Sequence, residues 1–148
     1  VAARVMDLQE PTRKMSKSVE SPQGTVLMLD DPKDIERKFK RAVTDNDAEV
    51  RYDPAAKPGV SNLLGILAAT TDGDPHALAD QYSQYGPLKA DTAAAVVEAL
   101  RPVQERYREL MADPAAIAEI VAKGADRARS VAAVTLARAR EAVGLLPR

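Results

Sequence analysis

The chain has 148 residues, 45% of them hydrophobic but only 3% aromatic, and a formal net charge of -1. That length allows one ordinary core, and the near-neutral sum excludes a purely electrostatic polyanion binder. With no cysteine and a single histidine, His76, a disulfide framework, a thiolate or poly-His metal site and a Ser-His-Asp triad with a second histidine are excluded.

From the N-terminus, Val5, Met6 and Leu8 predict a short buried strand. Pro11 then turns the chain out of any ladder. The hexamer Arg13-Lys14-Met15-Ser16-Lys17-Ser18 follows, with three cations, two hydroxyls and no acid. On a tight turn Lys14 and Lys17, three apart, reach one polyanion from the same side. Ser16, Ser18 and the backbone N–H groups add donors. That is the chemistry of a pyrophosphate or triphosphate clamp, with lysine as a mobile point charge; the alternative is a solvated basic loop. Ser21-Pro22-Gln23-Gly24 is expected to be a flexible spacer, so that the clamp can swing.

Asp-Pro pairs punctuate what comes next, since Asp caps a helix and Pro suits its first turn. Asp31-Pro32 predicts a helix with Ile35, Phe39, Ala42 and Val43 inward and a solvated basic face carrying Lys33, Arg37, Lys38, Lys40 and Arg41. Segment 51–59, containing Asp53-Pro54, is too rich in breakers and reads as a loop. Val60 to about Ala69 predicts a second helix, with Leu63, Leu64 and Leu67 on one side. Asp74-Pro75 predicts a third, with Leu78 and Tyr82 aligned and Gly86-Pro87 as its stop. From about Thr92 to Met111, Ala93, Val96, Leu100, Val103, Tyr107 and Leu110 form a seam, with a kink expected at Pro102. Asp113-Pro114 predicts a helix with Ile117, Ile120 and Val121 inward and Gly124 as its C-cap. A last helix over 125–143 would turn Val131, Val134, Ala142 and Val143 inward. The fold class is mainly α: a helical bundle behind a short strand-and-loop piece, with a boundary at 31/32. No apolar run approaches membrane-spanning length and no signal-peptide pattern opens the chain, so a cytoplasmic, non-membrane protein is expected.

Lys14-Met15-Ser16-Lys17-Ser18 resembles the complete second signature of the class I aminoacyl-tRNA synthetases. Looser versions occur in related nucleotidyl transferases. Further stretches resemble bacterial tryptophanyl-tRNA synthetases in the family's order: Leu29-Asp30-Asp31-Pro32-Lys33, Ala42-Val43-Thr44-Asp45, Arg51-Tyr52-Asp53, Lys57-Pro58-Gly59-Val60-Ser61-Asn62-Leu63-Leu64 and Arg101-Pro102-Val103-Gln104-Glu105-Arg106-Tyr107.

The resemblance implies that residues 1–31 are the end of a Rossmann-type catalytic domain carrying the KMSKS loop. Residues 32–148 would be an all-helical tRNA anticodon-binding domain. It implies Lys14 and Lys17 as the catalytic pair, holding the β- and γ-phosphates. Val5, through its backbone, Lys14, Met15, Ser16, Lys17 and Ser18 would contact ATP, which enters with Mg2+ as substrate. Tryptophan, its tRNA and a second subunit are the implied partners of the intact enzyme. The amino-acid pocket and the His-Ile-Gly-His-type motif would lie upstream of Val1, so the chain alone is expected to be inactive. Another class I synthetase, a nucleotidyl transferase and a non-enzymatic helical RNA- or protein-binding module remain alternatives.

Outside the signature, Arg101, Gln104 and Arg108 share a helix face suited to RNA, against an alternative of i,i+4 ion pairing. His76, in a helix's first turn, reads as exposed rather than as a proton shuttle. Tyr52, Tyr82, Tyr85 and Tyr107 read mostly as core anchors.

Overall fold

The computed structural model describes residues 4–18, 21–47 and 49–145. The protein is mainly α, with five helices among the described residues: α1 (Pro32–Lys40), α2 (Pro58–Thr71), α3 (Pro75–Ala79), α4 (Tyr85–Ala112) and α5 (Pro114–Ala142). A short extended segment precedes them and makes a single antiparallel bridge, Met6 to Lys14. The chain divides into two compact units, Val1–Gln104 and Glu105–Arg148.

In the first unit the Asp-Pro rule holds at α1 and α3. Asp31 accepts from the Lys33 N–H, and Asp74 accepts from the N–H groups of His76 and Ala77. Helix α2 starts earlier than its apolar pattern suggests, at Pro58. It ends at Asp72, whose left-handed φ of 57° a short polar side chain tolerates. Val60, Leu63, Leu64, Ile66 and Leu67 are all buried, so α2 is covered on most sides and forms the centre of the core. Ile35, Phe39 and Ala42 from α1, Leu88 and Ala93 from α4, Ala79 from α3 and Leu8 complete it. Burying such side chains contributes on the order of 1.5–3 kcal/mol each, which makes this cluster the main stabilising term.

Several expectations are corrected here. Val5 is 38% exposed and the predicted strand reduces to one bridge, because its lateral partners are side chains and turns rather than strands. Val43 is exposed although it continues the α1 stripe, since the helix has already ended at Lys40. Lys38 is buried rather than part of a solvated face. Helix α3 stops at Ala79, and Gly86-Pro87 lie in the first turn of α4, where the missing proline N–H has no helical acceptor anyway. As expected, Pro102 lies inside a long helix, α4, which runs on to Ala112.

In the second unit the two expected helices are one. Helix α5 begins at its Asp113 cap and runs through Gly124 to Ala142. The left-handed glycine is Gly144, at φ +71°. There the Leu145 N–H donates to the Arg140 carbonyl at 2.8 Å and the Gly144 N–H to that of Glu141 at 3.1 Å, the paired closure of a Schellman motif. No residue of α5 is buried, so Ile120, Val121, Val131 and Val134 are exposed rather than inward, as is Val143 just beyond it.

Candidate functional site

The site is organised by the extended segment 5–8, which is hydrogen-bonded on every side. Buried Asn62 of α2 takes the place of a neighbouring strand: its Oδ1 accepts from the Met6 N–H and its Nδ2 donates to the Met6 carbonyl, both at 2.9 Å. On the opposite edge the Asp7 N–H donates to the Arg13 carbonyl at 2.8 Å, and the Met15 N–H donates to the Val5 carbonyl at 3.1 Å. Beyond these, the Leu8 N–H donates to the Gly24 carbonyl and the Leu8 carbonyl accepts from the Val43 N–H. An almost strandless segment is thereby held as rigidly as one inside a sheet, and it carries the basic hexamer on its flank.

Within the hexamer, Lys14, Lys17 and Ser18 are exposed, whereas Met15 and Ser16 are half-buried, Met15 against the core. Arg13 pairs with Glu10 at 3.0 Å, an exposed contact worth little. Among the described residues neither Lys14 nor Lys17 meets a carboxylate. The Ser16 carbonyl accepts from the Thr25 hydroxyl at 3.5 Å, and the Ser18 N–H donates to Ser16 Oγ at 3.3 Å. Two exposed ammonium groups thus stand on a bend whose backbone is tethered. Ser21–Gly24 is a hydrogen-bonded turn with Gly24 buried, not a free spacer. Val5 lines a cavity of about 430 Å³ with Met6, Tyr52, Ser61 and Asn62, and none of Lys14–Ser18 lines it.

The other motif residues have structural work. Lys57, 2% exposed, donates to Asp45 at 3.0 Å, to Asp47, and to the Tyr85 hydroxyl at 3.2 Å. Its three ammonium protons therefore have three acceptors. The Tyr85 hydroxyl in turn donates to Asp45. Burial pushes the Lys57 ammonium down, but the hydrogen bonds to Asp47 and Asp45 outweigh it, and the net shift is upward. The Lys57 ammonium holds Asp47 well below the ordinary carboxylate range. Burial and the Asp45 carboxylate push the Tyr85 phenol up to about 12.

A similar lock closes the other side of α1. Lys38 donates to Asp30 at 2.5 Å and to the Thr25 carbonyl at 2.8 Å, and Gln104 donates to the Met28 and Asp30 carbonyls at 2.9 and 3.0 Å. Gln104 is buried and tied to that loop, which removes it from the RNA-facing set anticipated with Arg101 and Arg108. Arg101 pairs with Glu98 at 3.1 Å. His76 is exposed and meets the Tyr52 ring edge-on at 4.9 Å. Tyr52, Tyr82 and Tyr85 pack against the core, whereas Tyr107 is exposed. The exposed face of α1 keeps Lys33, Arg37 and Lys40. Lys40 also lines a groove of about 520 Å³ with Glu36, Lys89 and the alanines Ala90, Ala93 and Ala94, where burial pushes the Lys89 ammonium down.

Sequence reasoning gives Asp7, Lys57 and Asn62 no role and puts Lys38 on a solvated face. For Lys57 and Asn62 a signal existed, since both fall in a stretch that carries the family resemblance.

Residues 1–101 match the family model described as tRNA synthetases class I (W and Y). The tryptophan–tRNA ligase 1 of Streptomyces coelicolor is 53% identical over 147 residues, covering 99% of this chain and 44% of that protein. The tryptophan–tRNA ligase of Mycobacterium leprae is 47% identical, covering 100% and 44%. Among solved structures, the tryptophanyl-tRNA synthetase of Mycoplasma pneumoniae superposes with a TM-score of 0.83 at 28% identity, over 97% of this chain and 44% of that one. That of Campylobacter jejuni, complexed with ADP and tryptophan, gives 0.73 at 26% identity over the same shares. The chain thus spans less than half the length of the relatives it matches. On the match to residues 1–101 and the identity to the tryptophan–tRNA ligases, the chain belongs to the class I tRNA synthetases of the W and Y type.

Proposed function

We propose that this chain is the C-terminal part of a tryptophan–tRNA ligase, which activates tryptophan with ATP and transfers it to its tRNA. The observation that carries the reading is the pair of exposed lysines, Lys14 and Lys17, unpaired among the described residues on a bend anchored to segment 5–8. The relatives named tryptophan–tRNA ligases support the substrate.

In activation the amino-acid carboxylate attacks the α-phosphorus of ATP. The bond to the bridging oxygen breaks, and pyrophosphate leaves with its electron pair. Lys14 and Lys17 neutralise the charge that grows on the leaving group, Lys17 more strongly in the transition state. Val5 contacts the adenine through its backbone, while Met15, Ser16 and Ser18 complete the nucleotide contacts. The Mg2+ that accompanies ATP does not fit this hexamer, which offers ammonium groups and hydroxyls but no carboxylate. Residues 1–31 complete the catalytic domain and 32–148 bind the anticodon, the basic face of α1 being suited to tRNA phosphates. The intact ligase works as a cytoplasmic homodimer.

In the intact ligase, Lys17→Ala is expected to lower the activation rate roughly 10²-fold, with tryptophan binding nearly unchanged, measured by pyrophosphate exchange. A rate within a few-fold of wild type would remove the role. The isolated chain is expected to support no exchange.

A further inference from the structure

We infer that Asp7 is a positioning residue for the lysine pair: one buried carboxylate fixes the chain on both sides of Lys14–Ser18. The inference rests on the functional reading above, because positioning has a catalytic effect only if those lysines meet a substrate.

Asp7 is 1% exposed. A carboxylate that deep is costly to desolvate unless its lone pairs are satisfied. Its Oδ1 accepts from the N–H of Gln9 at 2.8 Å and of Glu10 at 3.0 Å, closing the turn that leads into the hexamer. Its own N–H holds the Arg13 carbonyl at 2.8 Å, and the Arg13 guanidinium adds charge attraction from the same side.

The same carboxylate also reaches the return side, where it lies against Gly24. Gly24 sits so close that a Cβ built there would lie 1.9 Å from Asp7 Oδ1. Only glycine permits that approach, and it lets the Gly24 carbonyl accept from the adjacent Leu8 N–H at 2.9 Å. A carboxylate serving one turn would contact one side alone. This one contacts residues 9 and 10 before the lysines and 24 after them, while its backbone N–H holds residue 13. Where Lys14 and Lys17 stand relative to segment 5–8 is therefore set by a side chain that touches no substrate. Misplacing a charged group by about 1 Å costs on the order of 10²-fold in rate, which gives the arrangement its leverage.

The test pairs amide hydrogen exchange on this chain with kinetics on the intact ligase. In Asp7→Ala, amides 13–18 and 21–25 are expected to exchange about 10-fold faster, and those of 60–68 in α2 to change less than about 2-fold. Should Asp7→Ala not fold, Asp7→Asn keeps the acceptor for Gln9 and Glu10 but loses the charge, and about 3-fold acceleration is expected. In the ligase, Asp7→Asn is expected to lower kcat for pyrophosphate exchange about 10-fold while KM for tryptophan stays within about 2-fold. Unchanged exchange at 13–18, or acceleration shared equally with α2, overturns the positioning role whatever Lys17→Ala does. An unchanged pyrophosphate-exchange rate in Lys17→Ala overturns the functional reading beneath it, whatever the amides do.

Discussion

Lys38 and Lys57 carry the same side chain as Lys14 and Lys17 and meet opposite fates. The first two are buried against acceptors: Asp30 and the Thr25 carbonyl for Lys38, and Asp45, Asp47 and the Tyr85 hydroxyl for Lys57. The second two are exposed and, among the described residues, unpaired. An ammonium group enclosed by such acceptors has its protons committed and serves as a staple for the chain. One left open on a tethered bend has no such acceptor among the described residues. Environment, not residue type, separates buried staple lysines from open ones here, and that separation can be broken experimentally.

The largest expected effect comes from Gly59→Ala. A Cβ there would lie 2.2 Å from the Val43 carbonyl oxygen, a backbone atom that cannot swing aside. Gly59 stands two residues from Lys57, and Val43 two residues before Asp45, so the substitution forces apart the two segments that meet in the buried cluster. A loss of about 3 kcal/mol is expected in urea unfolding of the chain. Next comes Lys38→Met, which leaves Asp30 and the Thr25 carbonyl without their donor and should cost about 3 kcal/mol. Lys14→Met, by contrast, should stay within about 0.5 kcal/mol of wild type. Equal losses in the two variants would erase the distinction between the lysine pairs.

The parts of this architecture written in the sequence are those with local causes. Asp31, Asp74 and Asp113 announce helices because a cap needs only the next three residues. Gly86-Pro87 misleads because the same dipeptide can stop one helix or begin another, and which it does depends on Leu88 finding the core. Gly124 misleads because an interior glycine costs a long helix only about 1 kcal/mol, too little to break it. The signature hexamer is legible as chemistry, since its charge and hydroxyls are contiguous. Its supports are not. Asp7 meets Gly24, Asn62 meets Met6 and Lys57 meets Tyr85 only after the chain has folded back, and no periodicity encodes those meetings.

A smaller effect concerns alkaline pH. In the folded chain Lys57 is raised above its ordinary value and Tyr85 is pushed up to about 12. Groups with raised folded-state values stabilise fully below their unfolded values, about 10 for both. That contribution is lost as pH climbs through the folded values. Stability measured by urea titration should therefore fall from about pH 10 toward pH 12, and Tyr85→Phe should flatten the slope. The same slope in Tyr85→Phe and wild type would show that the cluster does not control it.

The smallest expected effect lies in the second unit and tests the converse case, a helix with nothing buried. Gly124 is interior to α5, and a Cβ there would meet no atom within 4 Å. Alanine at that position removes backbone freedom from the unfolded chain without touching a neighbour. Gly124→Ala should therefore stabilise α5 by about 1 kcal/mol, seen as slower amide exchange around residue 124 and a small gain in helical ellipticity. Gly59→Ala and Gly124→Ala are one chemical change made in two settings, and opposite signs are expected. A loss at Gly124 would mean that a surface of this helix packs closely against something, and the exposed valines on it would then need a partner.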